Sequence, residues 1–126
     1  FRNDLGTERN GYLHYDRYHT FKYLLYLTDC DEDSGAFSCV PGSHITGKNL
    51  REKDWKSASG YGDVKNRIFK DHPELGFSES DVVPVVGSSG TLIIFDTDVF
   101  HRGGNIKDNK ERMVIRSHFH DGSRFR

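Results

Sequence analysis

Six or seven short runs of strand-forming residues, each closed by a turn signal, constrain this chain more than any other feature it has. Phe21 to Thr28 is the clearest, aromatic-rich and eight residues long. An acidic turn, Asp29 to Gly35, follows it. Ala36 to Val40 is the next run, and Pro41-Gly42 stops it. Asp81 to Val86 contains Pro84, which places that strand at an edge or a bulge. Gly87 to Gly90 is a turn, Thr91 to Phe95 reads as a buried strand, and Arg112 to His120 alternates as a last strand. Tyr12 to Asp16 makes one more near the start. Residues 45–80 break the rhythm. Charged residues are frequent there, and Trp55, Ile68 and Phe69 stand too far apart for a clear period, so short helix and loop laid over the outside of a sheet is expected. The pattern predicts an all-β fold, a double-stranded β-helix of the jelly-roll, cupin-like kind, as a single domain over residues 1–126.

The chemistry gathers at Leu13-His14-Tyr15-Asp16. In an extended segment alternate side chains share a face, so His14 and Asp16 can aim at one atom. His101 lies beyond the Thr91 to Phe95 strand, and an antiparallel roll can bring it alongside. Two imidazoles and one carboxylate on one face of an octahedron suit a divalent metal and leave three positions open, the arrangement of non-haem Fe(II) oxygenases. Arg112 comes eleven residues after His101, past a polar turn. A hairpin would return it near His101, where a guanidinium is a two-bond clamp for a carboxylate. Leu92, Ile94 and Val114 are expected to desolvate it. Lys22 and Tyr26 share a strand face with Leu24, and if that face looks inward either can reach a co-substrate or substrate.

These residues resemble the phytanoyl-CoA dioxygenase family of Fe(II)- and 2-oxoglutarate-dependent oxygenases. The resemblance is carried by His14-Tyr15-Asp16, by Tyr26 to Phe37 and by Val40-Pro41-Gly42-Ser43-His44. It continues in Gly90 to Asp96, His101-Arg102-Gly103-Gly104 and Arg112, so that it runs from about Gly11 to His120. It implies His14, Asp16 and His101 as ligands of Fe(II), and Arg112 as the anchor of the distal carboxylate of 2-oxoglutarate. The implied reaction uses dioxygen. It decarboxylates 2-oxoglutarate to succinate and CO2 and hydroxylates a small-molecule substrate. Halogenating relatives have a small residue at the carboxylate position, so Asp16 favours hydroxylation. The chain departs from the family in two ways. Only thirteen residues precede His14, whereas the family's catalytic domain extends well upstream, and Gly103 stands where a small hydroxyl residue often helps hold the co-substrate.

Several further expectations follow. The domain is read as the C-terminal portion of a longer one, incomplete at its N-terminus, so unpaired strand edges are expected to drive pairing with another copy. A net charge of −1 advertises no basic face for nucleic acid or an anionic membrane. No apolar run approaches the ~20 residues that span a bilayer. Cys30 and Cys39 form no Cys-x-x-Cys pair and are expected as reduced thiols of a cytoplasmic protein. His19, His44, His72, His118 and His120 are expected to be structural or solvated, and the acidic run Asp29 to Asp33 lacks the spacing of a calcium loop. Two rival readings use the same scaffold. One is a cupin-like, metal-holding binding module without oxygenase activity, and the other a redox-inert isomerase. A buried carboxylate clamp at Arg112 argues against the first.

Overall fold

Side chains alternate between the two faces of an extended strand, and burial along this chain follows that alternation. The computed structural model describes residues 13–57, 68–69 and 75–119. The expectations for Tyr12, His72, His120 and the two chain ends lie outside them. The described residues form eight short strands: β1 Leu13–His14, β2 Phe21–Tyr26, β3 Phe37–Cys39, β4 Ile68–Phe69, β5 Val83–Pro84, β6 Leu92–Asp96, β7 His101–Gly103 and β8 Val114–His118. They also form one α-helix, α1 His44–Ser57. One sheet has five strands in the order β4-β1-β7-β3-β5, and the other has three in the order β6-β2-β8. All pairings are antiparallel. The chain switches between the two sheets along its length, which is the double-stranded β-helix expected.

Two apolar clusters hold the layers. Between the sheets lie Tyr26, Phe37 and Ile93, with Leu24, Phe95, Val85 and Val114 packed against them. On the other side of the five-stranded sheet, Leu13, Tyr15, Val40 and Phe100 form a second cluster, which Leu50 of α1 joins with Phe77 and Val82. Helix α1 approaches very closely at Gly47. A Cβ there would stand 1.9 Å from the carbonyl oxygen of Asp98. From the next turn, Arg51 reaches the same residue and donates Nε and Nη2 to the Asp98 carboxylate at 2.6 and 2.9 Å.

Four details differ from the sequence expectation. The strand count among the described residues is eight, because two short strands join the six runs named above: β7 at His101–Gly103, and one from residues 45–80, which supply a strand as well as most of a helix. That strand, β4, pairs with β1 in the register Leu13↔Phe69 and His14↔Ile68. Second, Thr91 to Phe95 is buried on one face only: Ile93 is buried, while Leu92 and Ile94 are 57% and 58% exposed. Those two therefore lie outside the barrel and do not desolvate Arg112. Third, β7 and β8 are not a hairpin. They belong to different sheets, and the link between them crosses the barrel. Last, the final strand begins at Val114, with Arg112 two residues ahead of it. Pro84 does sit on an edge strand, as its missing N–H requires.

The outer face of the three-stranded sheet is apolar and open. Phe21, Leu92, Ile94 and Ile115 are exposed there, with Met113 and Phe119 at the ends of β8. No helix among the described residues is long and apolar enough to cross a membrane.

Two outcomes are expected. Gly47→Ala should destabilise the fold by about 1–3 kcal/mol or more, because backbone rather than a flexible side chain must move. Its unfolding midpoint in urea is the measurement, and an unchanged midpoint would contradict the packing. Ile94→Lys with Leu92→Lys should lower the binding of an apolar-surface dye, read by its fluorescence, with helix and strand content unchanged, and equal dye binding in the variant would contradict the exposure of this face.

Candidate metal centre

The site begins with a single backbone register. His14 and His101 are direct partners across β1 and β7, so their imidazoles leave the sheet on the same face. Their ring centroids are 4.6 Å apart. Asp16, two residues after His14, turns its side chain to that face as well. Its Oδ1 lies 3.8 Å from Nε2 of His14 and 3.8 Å from Nε2 of His101. One ligand atom from each of the three falls within 4.8 Å of the others.

Neighbouring backbone groups hold these three residues in place. The N–H of Asp16 donates to the carbonyl of Thr97 at 2.9 Å. Thr97 is fully buried, and its hydroxyl accepts from the N–H of Thr20 at 2.8 Å and donates to the Thr20 carbonyl at 2.9 Å. Thr97 thus ties the link between β1 and β2 to the turn ahead of His101. Ser43 of Pro41-Gly42-Ser43-His44 does the same from the other side. Its hydroxyl accepts from the N–H of Phe100 at 2.9 Å and donates to the Val40 carbonyl at 2.8 Å. Neither residue stood out in the sequence as part of the site. His44 opens α1 and is exposed, in keeping with a role outside the chemistry.

His101 is 5% exposed and packs beside the rings of Phe95 and Phe37, at centroid distances of 4.8 and 5.9 Å. Its Nδ1 lies 2.8 Å from the carbonyl of Val99. A carbonyl only accepts, so Nδ1 carries the proton and Nε2 presents its lone pair towards Asp16 and His14. Burial, then the neighbouring His14, push the imidazole down to about 4. A neutral imidazole with its outer nitrogen tied to a carbonyl is the form a metal requires. Two nitrogens and one carboxylate oxygen at this spacing therefore fit a divalent, borderline-hard ion.

The remaining expected residues are placed as follows. Lys22 does face inward, but its ammonium pairs with Oδ2 of Asp16 at 2.5 Å. Tyr26 is fully buried, and its hydroxyl donates to the Val85 carbonyl at 2.8 Å and accepts from the N–H of Phe37 at 2.9 Å. Tyr26 therefore joins β2 to the opposite sheet, and burial raises its phenol. Arg112 crosses the barrel, and its Nη1 donates to the carbonyl of Gly35. The guanidinium lies over Gly103, where a Cβ would stand 3.1 Å from Nη2 and 3.3 Å from Nη1. The absence of a side chain at Gly103 thus gives Arg112 its room. Gly103 is two residues along β7 from His101, so Arg112 sits over the same strand face, about 7 Å further on at the usual rise. The acidic turn is clasped by lysines, Lys110 on Asp31 at 2.9 Å and Lys107 on Asp33 at 2.7 Å, as a structural turn would be. A second group, His19, Asp96 and Asp98, also gathers within 4.8 Å, but Arg51 already occupies both oxygens of Asp98.

The low-lying His101 sets a pH dependence. The unfolded chain takes up a proton on this residue below about 6.5, and the folded chain only near 4. The unfolded state therefore binds more protons between those values. Stability of the metal-free protein should fall as pH drops through that window, by an amount on the order of a few kcal/mol. Urea unfolding at pH 7.5, 6 and 5 measures the slope, and His101→Phe should flatten it. An equal slope in the variant would contradict the assignment.

A family model described as phytanoyl-CoA dioxygenase (PhyH) matches residues 8–114, a span that takes in the three clustered residues, Lys22 and Arg112. No curated protein matches the chain.

Proposed function

We propose that this chain, which belongs to the phytanoyl-CoA dioxygenase family, is an Fe(II)- and 2-oxoglutarate-dependent oxygenase that hydroxylates a small-molecule substrate. The observation carrying the proposal is the pairing of two features on one strand face. A three-residue cluster with metal-ligand spacing stands at His101, and a guanidinium lies two residues further on, over Gly103. A metal-holding module has no use for the second feature. A co-substrate that chelates a metal at one end and carries a carboxylate at the other needs both.

In this reading His14, Asp16 and His101 hold the metal, and Arg112 receives the distal carboxylate. Fe(II) held there would, with dioxygen and 2-oxoglutarate, supply an oxidant for a C–H bond: one oxygen atom would go to succinate as CO2 is lost, and the other to the hydroxyl of the product. The protein's own part is positional. The Val99 carbonyl fixes the His101 tautomer, so the ligand nitrogen is available without a proton to expel. Phe37 and Phe95, with ring centroids 4.5 Å apart, wall the site beside His101 and keep water from that side. Gly35 and Gly103 hold the guanidinium of Arg112 at a set depth, which selects the length of the dicarboxylate.

The test is a 2-oxoglutarate titration under anaerobic conditions with Fe(II) saturating, read by the visible charge-transfer band of the chelate. Arg112→Lys keeps the charge but loses the planar fork. A charge-assisted hydrogen bond contributes about 1.5–3 kcal/mol, so 2-oxoglutarate should bind about 10- to 100-fold more weakly. Arg112→Ala should bind it more weakly still, with metal affinity held in both. Equal 2-oxoglutarate affinity across all three proteins would overturn the role of Arg112, and absence of the band in wild type would overturn the proposal.

A further inference from the structure

We propose that Lys22 keeps Asp16 a one-oxygen ligand and so preserves an open coordination position, an inference that rests on the oxygenase reading above. The two oxygens of Asp16 are divided between two tasks. Oδ1 lies at equal distance, 3.8 Å, from Nε2 of His14 and of His101. Oδ2 is held by the Lys22 ammonium at 2.5 Å. Lys22 comes from the opposite sheet, on β2, where it is the register partner of Phe95 and of His118. Its side chain is only 12% exposed. A nearly buried ammonium needs a counter-charge, and Asp16 supplies it. The carboxylate is therefore fixed by a charge-assisted bond on Oδ2, the oxygen other than the one measured against the two imidazoles.

The consequence concerns coordination number. Two imidazoles and one oxygen leave three of an octahedral ion's six positions. If Asp16 closed on the metal with both oxygens, two would remain, and a chelating co-substrate alone would fill them. Carboxylates take either mode readily, so something must decide between them. Lys22 is placed to decide. Its positive charge repels the metal while its hydrogen bond orients the ligand, so affinity for the ion is exchanged for an open position. This differs from a direct co-substrate contact, since the ammonium is already committed to Asp16. Lys22 is thus a positioning residue for the site.

Co(II) is the probe, because its visible spectrum reports coordination number and ligand mode without turnover. Anaerobic titrations would compare wild type, Lys22→Met and Lys22→Arg, with urea unfolding as a check on folding. Lys22→Gln serves as a second neutral variant should Lys22→Met not fold. In Lys22→Met we expect Co(II) to bind as tightly as in wild type or more tightly, with a changed visible spectrum. Affinity of the Co(II)-loaded variant for 2-oxoglutarate should drop about 10- to 100-fold, the usual range for a partner of a metal ligand. Lys22→Arg keeps a donor and should stay near wild type. An unchanged spectrum with unchanged 2-oxoglutarate affinity in Lys22→Met would overturn the proposal, making the ion pair a tether between the sheets. Co(II) affinity lost in Lys22→Met would overturn it too, because the pair would then build the site rather than restrict it. If wild type binds Co(II) but does not respond to 2-oxoglutarate, the oxygenase reading fails, and the Co(II) spectrum of Lys22→Met still decides the role of Lys22.

Discussion

The backbone pairing of His14 with His101 is the constraint on which the site depends. It brings together two residues from opposite ends of the chain with no side-chain contact required. β1 is only two residues long, so the pairing needs support from elsewhere. β4 flanks β1 on one side, Thr97 holds the Asp16 backbone, and Ser43 holds Phe100. Such bonds contribute about 1 kcal/mol each when made and cost more when a buried group is left unpaired. Together they fix the register, and a one-residue slip would turn His14 and Asp16 to the wrong face.

The same alternation separates stability from chemistry. Leu13, Tyr15 and Phe100 point to the outer cluster under α1, while their neighbours His14, Asp16 and His101 point between the sheets. Each member of the cluster is thus flanked by a buried anchor. The anchors are large and dry, so the strands that carry the cluster can be short. Helix α1 completes the arrangement through Gly47 and Arg51, both of which act on Asp98, three residues before His101. The helix lies far from the three clustered residues in sequence, but it braces the turn that leads into His101.

The convergence of His14 and Asp16 was readable because His-x-Asp carries its geometry locally, and an extended segment needs no partner to set it. Arg112 does come to lie over β7, but by a crossing between sheets and not by the hairpin its spacing suggested. Three things were hidden, each for a physical reason. β4 is a two-residue strand whose existence depends on β1, and nothing in residues 45–80 signals that partner. Leu92-Ile93-Ile94-Phe95 is apolar at every position, so it has no alternation to say which face is inside. Lys22 and Tyr26 could be put on one shared face, but the strand alone left open whether that face looks inward, because their partners, Asp16 for one and Val85 and Phe37 for the other, come from elsewhere in the fold. A shared face can be read from one strand, whereas its direction and its contacts across a barrel need both sheets.

The charges on this face are arranged as deliberately as the backbone. Lys22 offsets the negative charge of Asp16, and burial holds His101 neutral. The guanidinium of Arg112 adds a positive charge over Gly103, on the same strand face. Beside the rings of Phe37 and Phe95 such charges are poorly screened, so each must be met by a partner: Asp16 meets Lys22, and the Gly35 carbonyl meets Arg112. A carbonyl carries only a partial charge, so Arg112 is the cation of this face whose charge the protein balances least, and an anion is what would complete it.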